Sequence, residues 1–102
     1  MSQYERIIRQ CFWDIRVSPD ELKQIITGND KRQKKRVFEK ILLNSTNFLF
    51  DLELFDRDEL QTMLAEYSPP AFNHDHAFRR KNMAEFFFFN KKLTITELQW
   101  TV

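Results

Sequence analysis

Apolar residues recur with a helical period over most of the chain. Tyr4, Ile7, Ile8, Cys11 and Phe12 stand at i, i+3, i+4, i+7 and i+8, one stripe of a helix predicted over residues 3–12. Trp13, Ile15 and Val17 then alternate with Asp14 and Arg16, the period of a short extended segment, either a strand or a linker. Ser18, Pro19 and Glu21 make a capping box with proline at the first helical position, and Leu22, Ile25 and Ile26 give that helix its buried face. Gly28 is expected to end it in the left-handed region.

Asn29 or Asp30 caps a third helix running to about Asn44, with Val37, Phe38, Ile41, Leu42 and Ser45 in one arc and Arg32, Arg36, Glu39 and Lys40 outside it. Lys34 falls inside the apolar arc, so either the first turns project beyond the core or this lysine snorkels. Residues 48–55 alternate only in part and fit a strand or a short helical turn equally well. Asp56 and Glu59 form a second capping box, and Leu60, Met63, Leu64 and Tyr67 mark a helix over 57–67 that Pro69 and Pro70 stop. After a loop at 71–76, a helix starting near an Asp75 cap is expected to carry Phe78, Met83, Phe86 and Phe87 inward. Leu93 to Trp100 reads as a strand that could pair with 13–17, or as a last short helix capped by Thr96.

These elements define a mainly α fold. The reading is one domain over residues 1–102, a compact bundle of about five helices with room for a minor two-stranded pairing between 13–17 and 93–100. Trp13, Asp14 and Trp100 are placed near the junction of its two ends. Composition agrees: eleven Phe against one Gly and three Pro in 102 residues exclude disorder and loop-rich sandwiches. A chain of this length buries roughly two thirds of its unfolded surface, enough for a core without disulfides or metal.

Charge changes the picture locally, not globally. The net value is +1, but residues 30–40 carry +4, residues 51–66 carry −5 and residues 79–92 carry +4. Lys31, Arg32, Lys34, Lys35 and Arg36 are therefore candidate contacts for phosphates or an acidic partner, although the acidic block can neutralise them within the fold. Arg79, Arg80 and Lys81 are a second such cluster, set where a helix dipole is already positive, as though awaiting an anion. Asp51, Glu53, Asp56, Asp58 and Glu59 read as caps and solvated face.

Chemistry is sparse. His74, Asp75 and His76 lack further ligands at helical spacing, so no metal is assigned; one glycine precludes a phosphate loop, and no nucleophile stands with a base. The expectation is a protein that is not an enzyme, with no cofactor and no small-molecule substrate. Cys11 reads as a buried reduced thiol, and together with the absence of a leader-like or bilayer-length apolar run it suggests a soluble protein of a reducing cytoplasm, not of a membrane. Phe86, Phe87, Phe88 and Phe89 cannot all share one helix face, so one or two rings must meet another surface, of this domain or of a partner.

Phe12-Trp13-Asp14, the capped helix Ser18 to Gly28 and the segment Arg36-Val37-Phe38-Glu39-Lys40-Ile41-Leu42 together resemble a family of small bacterial proteins of unknown function that open with a Phe-Trp-Asp element. Arg79 to Phe89 and then Leu93 to Trp100 would be that family's closing helix and apolar tail. The chain departs from it in the amphipathic helix before Phe12 and in the Phe run. Such proteins are often encoded beside nucleotidyltransferase-like toxins, so the resemblance implies an antitoxin-like or accessory role and transfers no catalytic residue. The expectation is thus a bacterial protein-interaction module, with a protein partner or a second copy of itself; the alternative is a nucleic-acid-binding regulator using the basic helix 30–44.

Overall fold

The computed structural model describes residues 2–13 and 15–89. They form six helices: α1 (Gln3–Cys11), α2 (Pro19–Thr27), α3 (Lys31–Asn44), α4 (Phe48–Leu52), α5 (Arg57–Glu66) and α6 (His74–Phe89). Short polar side chains start four of them, because the first backbone donors of a helix have no partner within it. Ser2 accepts from the Glu5 amide, Ser18 and Glu21 form the full capping box, Asp30 takes the amides of Arg32 and Gln33, and Asp56 takes those of Asp58 and Glu59. The second box is only half built, since the Glu59 carboxylate lies on Lys34 Nζ instead.

Two open alternatives resolve, and one expectation changes. Trp13 and residues 15–17 form a turn and an irregular connection, the linker alternative, closed by the Ile15 amide on the Phe12 carbonyl, and no strand occurs among the described residues. The proposed pairing segment 93–100, with Trp100, and also Asp14, lie outside the described residues. Gly28 is extended (φ −84°, ψ −162°), not left-handed. Its glycine answers to close approach: a Cβ there would stand 2.6 Å from the Gln24 carbonyl oxygen. Residues 48–52 are helical, which puts Phe48, Asp51, Leu52 and Phe55 on one buried row.

α3 is the central helix, touching α1, α2, α4 and α6. Its Val37, Phe38, Ile41 and Leu42 are buried against Ile7 and Cys11 of α1 and Leu22 and Ile26 of α2, and share one core with Leu60 and Leu64 of α5 and Ala77 and Ala84 of α6. Phe38 meets Phe55 and Tyr67 edge to face, at centroid separations of 6.4 and 6.2 Å, the arrangement ring quadrupoles favour.

α6 differs most from expectation. Asn73, at φ 57°, precedes it, and the Asn73 carbonyl accepts the Ala77 amide, so Asp75 stands inside the first turn, not at the cap. The inward row is Ala77, Ala84 and Phe88, spaced seven and four apart; Phe78, Phe86 and Phe87 are exposed, and only Met83 of the expected four is partly buried. Two alanines on that row leave room for the helix to approach the core closely, which phenylalanines there would not.

Candidate functional site

The basic clusters divide into two kinds of residue. Arg80 of α6 donates to the carbonyls of Leu42 (3.1 Å) and Ser45 (2.7 Å) at the C-terminal end of α3, and His76 Nε2 lies 2.9 Å from the Leu43 carbonyl beside them. Lys81 donates to the Tyr67 carbonyl at the end of α5 (2.7 Å), and Arg57 donates to the Phe88 carbonyl near the end of α6 (3.0 Å). The last carbonyls of a helix are unpartnered and carry its negative pole, so cations from a neighbouring helix satisfy both hydrogen bonding and dipole. α6 begins at His74, so Arg79, Arg80 and Lys81 stand near its middle, past the first turn where the dipole is positive, and Arg80 and Lys81 meet the carbonyl ends of α3 and α5 instead of an outside anion. Arg80 also stacks over the Phe48 ring at 4.6 Å, and burial pulls its guanidinium below its ordinary value.

Lys34 is withdrawn in the same way. It is 4% exposed, and its ammonium contacts both Glu59 oxygens, at 2.8 and 2.6 Å, tying α3 to α5. Of the eight candidate cations, Lys34, Arg80 and Lys81 are thus bonded within the fold, Arg79 is exposed but also engaged there, and Lys31, Arg32, Lys35 and Arg36 are exposed. Lys31 and Lys35 of α3 line, with Asp58, Met63 and Glu66 of α5, a groove of about 350 Å³. Between these two blocks Lys34 forms an ion pair with Glu59.

The phenylalanine run splits by helical phase. Phe88 is buried, edge-on to Phe87 at 4.9 Å and covered by the Arg57 guanidinium at 5.2 Å, and Phe89 is partly buried. Phe86 and Phe87 are 44% and 56% exposed. Elsewhere Phe72 is 82% and Trp13 67% exposed, with the Lys40 ammonium 5.7 Å above the Trp13 ring. Within the Phe-Trp-Asp element, then, Phe12 enters the core while Trp13 does not.

Sequence reasoning missed one polar centre. Asp51 is fully buried, not solvated: Arg6 and Ser45 Oγ bond its carboxylate and Gln3 Nε2 reaches it at 3.1 Å. Arg6 continues to Gln10, which accepts the Thr46 amide, so the network fastens α1 to the α3–α4 connection. The missed signal was the row 48, 51, 52, 55, which a helical reading places on one face with the carboxylate inside. Cys11 lies close by, buried, and burial together with the Asp51 charge pushes its thiol up to about 11. It is a core residue without a thiolate near neutral pH.

His74 stacks on Phe78 (5.9 Å, 12°), and no group of three or more metal-ligating side chains occurs among the described residues. No described helix is long and apolar enough to cross a membrane. The fold is mainly α, with six helices among the described residues. Comparison with protein-family models, curated proteins and solved structures found no match to the chain.

Proposed function

We propose that this domain works by binding another protein, with the exposed rings of α6 as its contact surface. The observation that carries the reading is the split at the end of α6: Phe88 closes the core while its neighbours Phe86 and Phe87 stand in water. Contiguous exposed aromatic surface is costly to keep and is where binding energy concentrates in interfaces. Trp13, on the connection between α1 and α2, offers a second aromatic anchor. The resemblance carried by Phe12-Trp13-Asp14 supplies the partner class: a nucleotidyltransferase-type toxin, with this bacterial, cytoplasmic chain as its antitoxin-like or accessory protein.

Co-expression with such a toxin tests the reading. Wild-type chain should form a complex that Phe86→Ser/Phe87→Ser abolishes while leaving the chain folded; a complex equally tight with both rings removed overturns the reading of this surface. The nucleic-acid reading retains one favourable observation, the exposed cations Arg32 and Arg36, one helical turn apart on α3. It requires duplex or single-strand binding at low salt that falls when Lys35 and Arg36 are reversed in charge. Absence of binding at about 50 mM salt removes it.

A further inference from the structure

The groove between α3 and α5 carries opposite charges on its two walls. Lys31 and Lys35 line the α3 side, and Asp58 and Glu66 the α5 side. All four are exposed, and their side chains make no ion pair or hydrogen bond among the described residues. Below them the bond of Lys34 to both oxygens of Glu59 holds the two walls together, so the rows have a set separation. Thr62 and Met63 add an uncharged strip on the α5 wall.

We propose that this groove is the contact face of a symmetric dimer, its occupant a second copy of the same chain. The argument is charge complementarity under symmetry. A two-fold axis running along the groove turns one copy over the other and lays the basic row of each α3 on the acidic row of the partner's α5. Lysines of each copy then meet carboxylates of the other, and the set of contacts occurs twice, as an isologous interface requires. A polyanion is a poor occupant, because the carboxylate wall repels it along its whole length. The lysine stems and Met63 supply apolar contact, while the charges set register and encounter rate. The inference stands apart from the aromatic surface of α6 and does not depend on it.

Sedimentation of the 102-residue chain tests it. The wild type should dimerise, with a dissociation constant that rises about tenfold or more between about 50 and about 500 mM salt, as exposed pairs are screened. Lys31→Glu/Lys35→Glu and Asp58→Lys/Glu66→Lys should each be monomeric alone, and an equimolar mixture of the two should restore a dimer. Circular dichroism checks that both variants fold; if either does not, Lys35→Gln and Glu66→Gln should weaken the dimer in the same direction. A monomeric wild type at low salt, a dimer indifferent to these substitutions, or a mixture that stays monomeric would each overturn the proposal.

Discussion

Arg80 donates to the main-chain oxygen of Ser45 at 2.7 Å, so a cation from the middle of α6 closes the end of α3. Its second bond, to the Leu42 carbonyl at 3.1 Å, makes one guanidinium the partner of two carbonyls that α3 itself cannot satisfy. Lys81 on Tyr67 and Arg57 on Phe88 repeat the device at α5 and α6. Much of the positive charge that looks available in the sequence is thereby committed to joining short helices.

Arg80→Ala should therefore lower unfolding free energy by about 2–3 kcal/mol, since it strands two carbonyls as well as losing a charged donor. Arg80→Lys should recover only part, because a single ammonium does not reproduce the planar fork or its stacking on Phe48. Urea unfolding of the two variants checks both; an Arg80→Ala chain as stable as wild type would show that the contact is incidental.

Asp51 should be the more sensitive position. Asp51→Ala removes the common acceptor of Arg6, Gln3 and Ser45 and is expected to cost about 3–5 kcal/mol, as for one half of a buried pair. Ser45→Ala should cost about 1 kcal/mol, and less still in the Asp51→Ala background, because the two side chains share one bond. Equal and additive losses in a double-mutant cycle would contradict the network.

Most of the helical framework was legible from local pattern. The stripes of α1, α2 and α5 and the caps Ser18, Asp30 and Asp56 are properties of neighbouring residues, so periodicity and side-chain chemistry reveal them. The phase of α6 was not legible, because four consecutive phenylalanines carry no period and its inward row rests on Ala77 and Ala84, which carry a weak hydrophobic signal. Nor were the partners of Arg80 and Lys81, which are backbone carbonyls 35 to 38 and 14 positions away and have no mark in the sequence. The burial of Asp51 is hidden in the sequence by the partial alternation of residues 48–55, which masks the helical row it occupies.

Cys11 gives a pH prediction. In the folded chain its thiol is raised to about 11 from 9.0, chiefly by burial, so below pH 9 it is neutral whether folded or unfolded. As pH rises from 9 through about 11 the unfolded chain ionises this thiol and the folded chain resists, so its contribution to stability is lost across that window. Stability measured across this range should fall less in Cys11→Ala than in wild type. The native thiol should also react slowly with a thiol reagent at neutral pH and rapidly once unfolded. Fast labelling of the native chain would contradict its burial.

The Lys34–Glu59 contact should behave as a buried pair that one partner exposes. Glu59→Ala leaves the Lys34 ammonium unpaired and is expected to cost about 2 kcal/mol, less than a fully buried pair because the Glu59 side chain is 35% exposed. Lys34→Met in the Glu59→Ala background should regain most of that loss, since no charge is then left stranded. Thermal unfolding of the single and double variants reads the difference, and a double variant less stable than Glu59→Ala alone would exclude this explanation.

The division of the phenylalanine run separates structure from binding. Phe88→Ala should cost about 3–4 kcal/mol, as for a core aromatic, whereas Phe87→Ser should change stability by less than about 0.5 kcal/mol. The most direct measurement replaces Phe87 with a photo-crosslinking phenylalanine analogue in the native host and identifies the adduct by mass spectrometry. The account predicts one dominant protein adduct, of a chain other than this one, that disappears when Phe86 is changed to Ser. Adducts to nucleic acid, or no adduct while the same probe at Lys35 or Arg36 captures a partner, would contradict it.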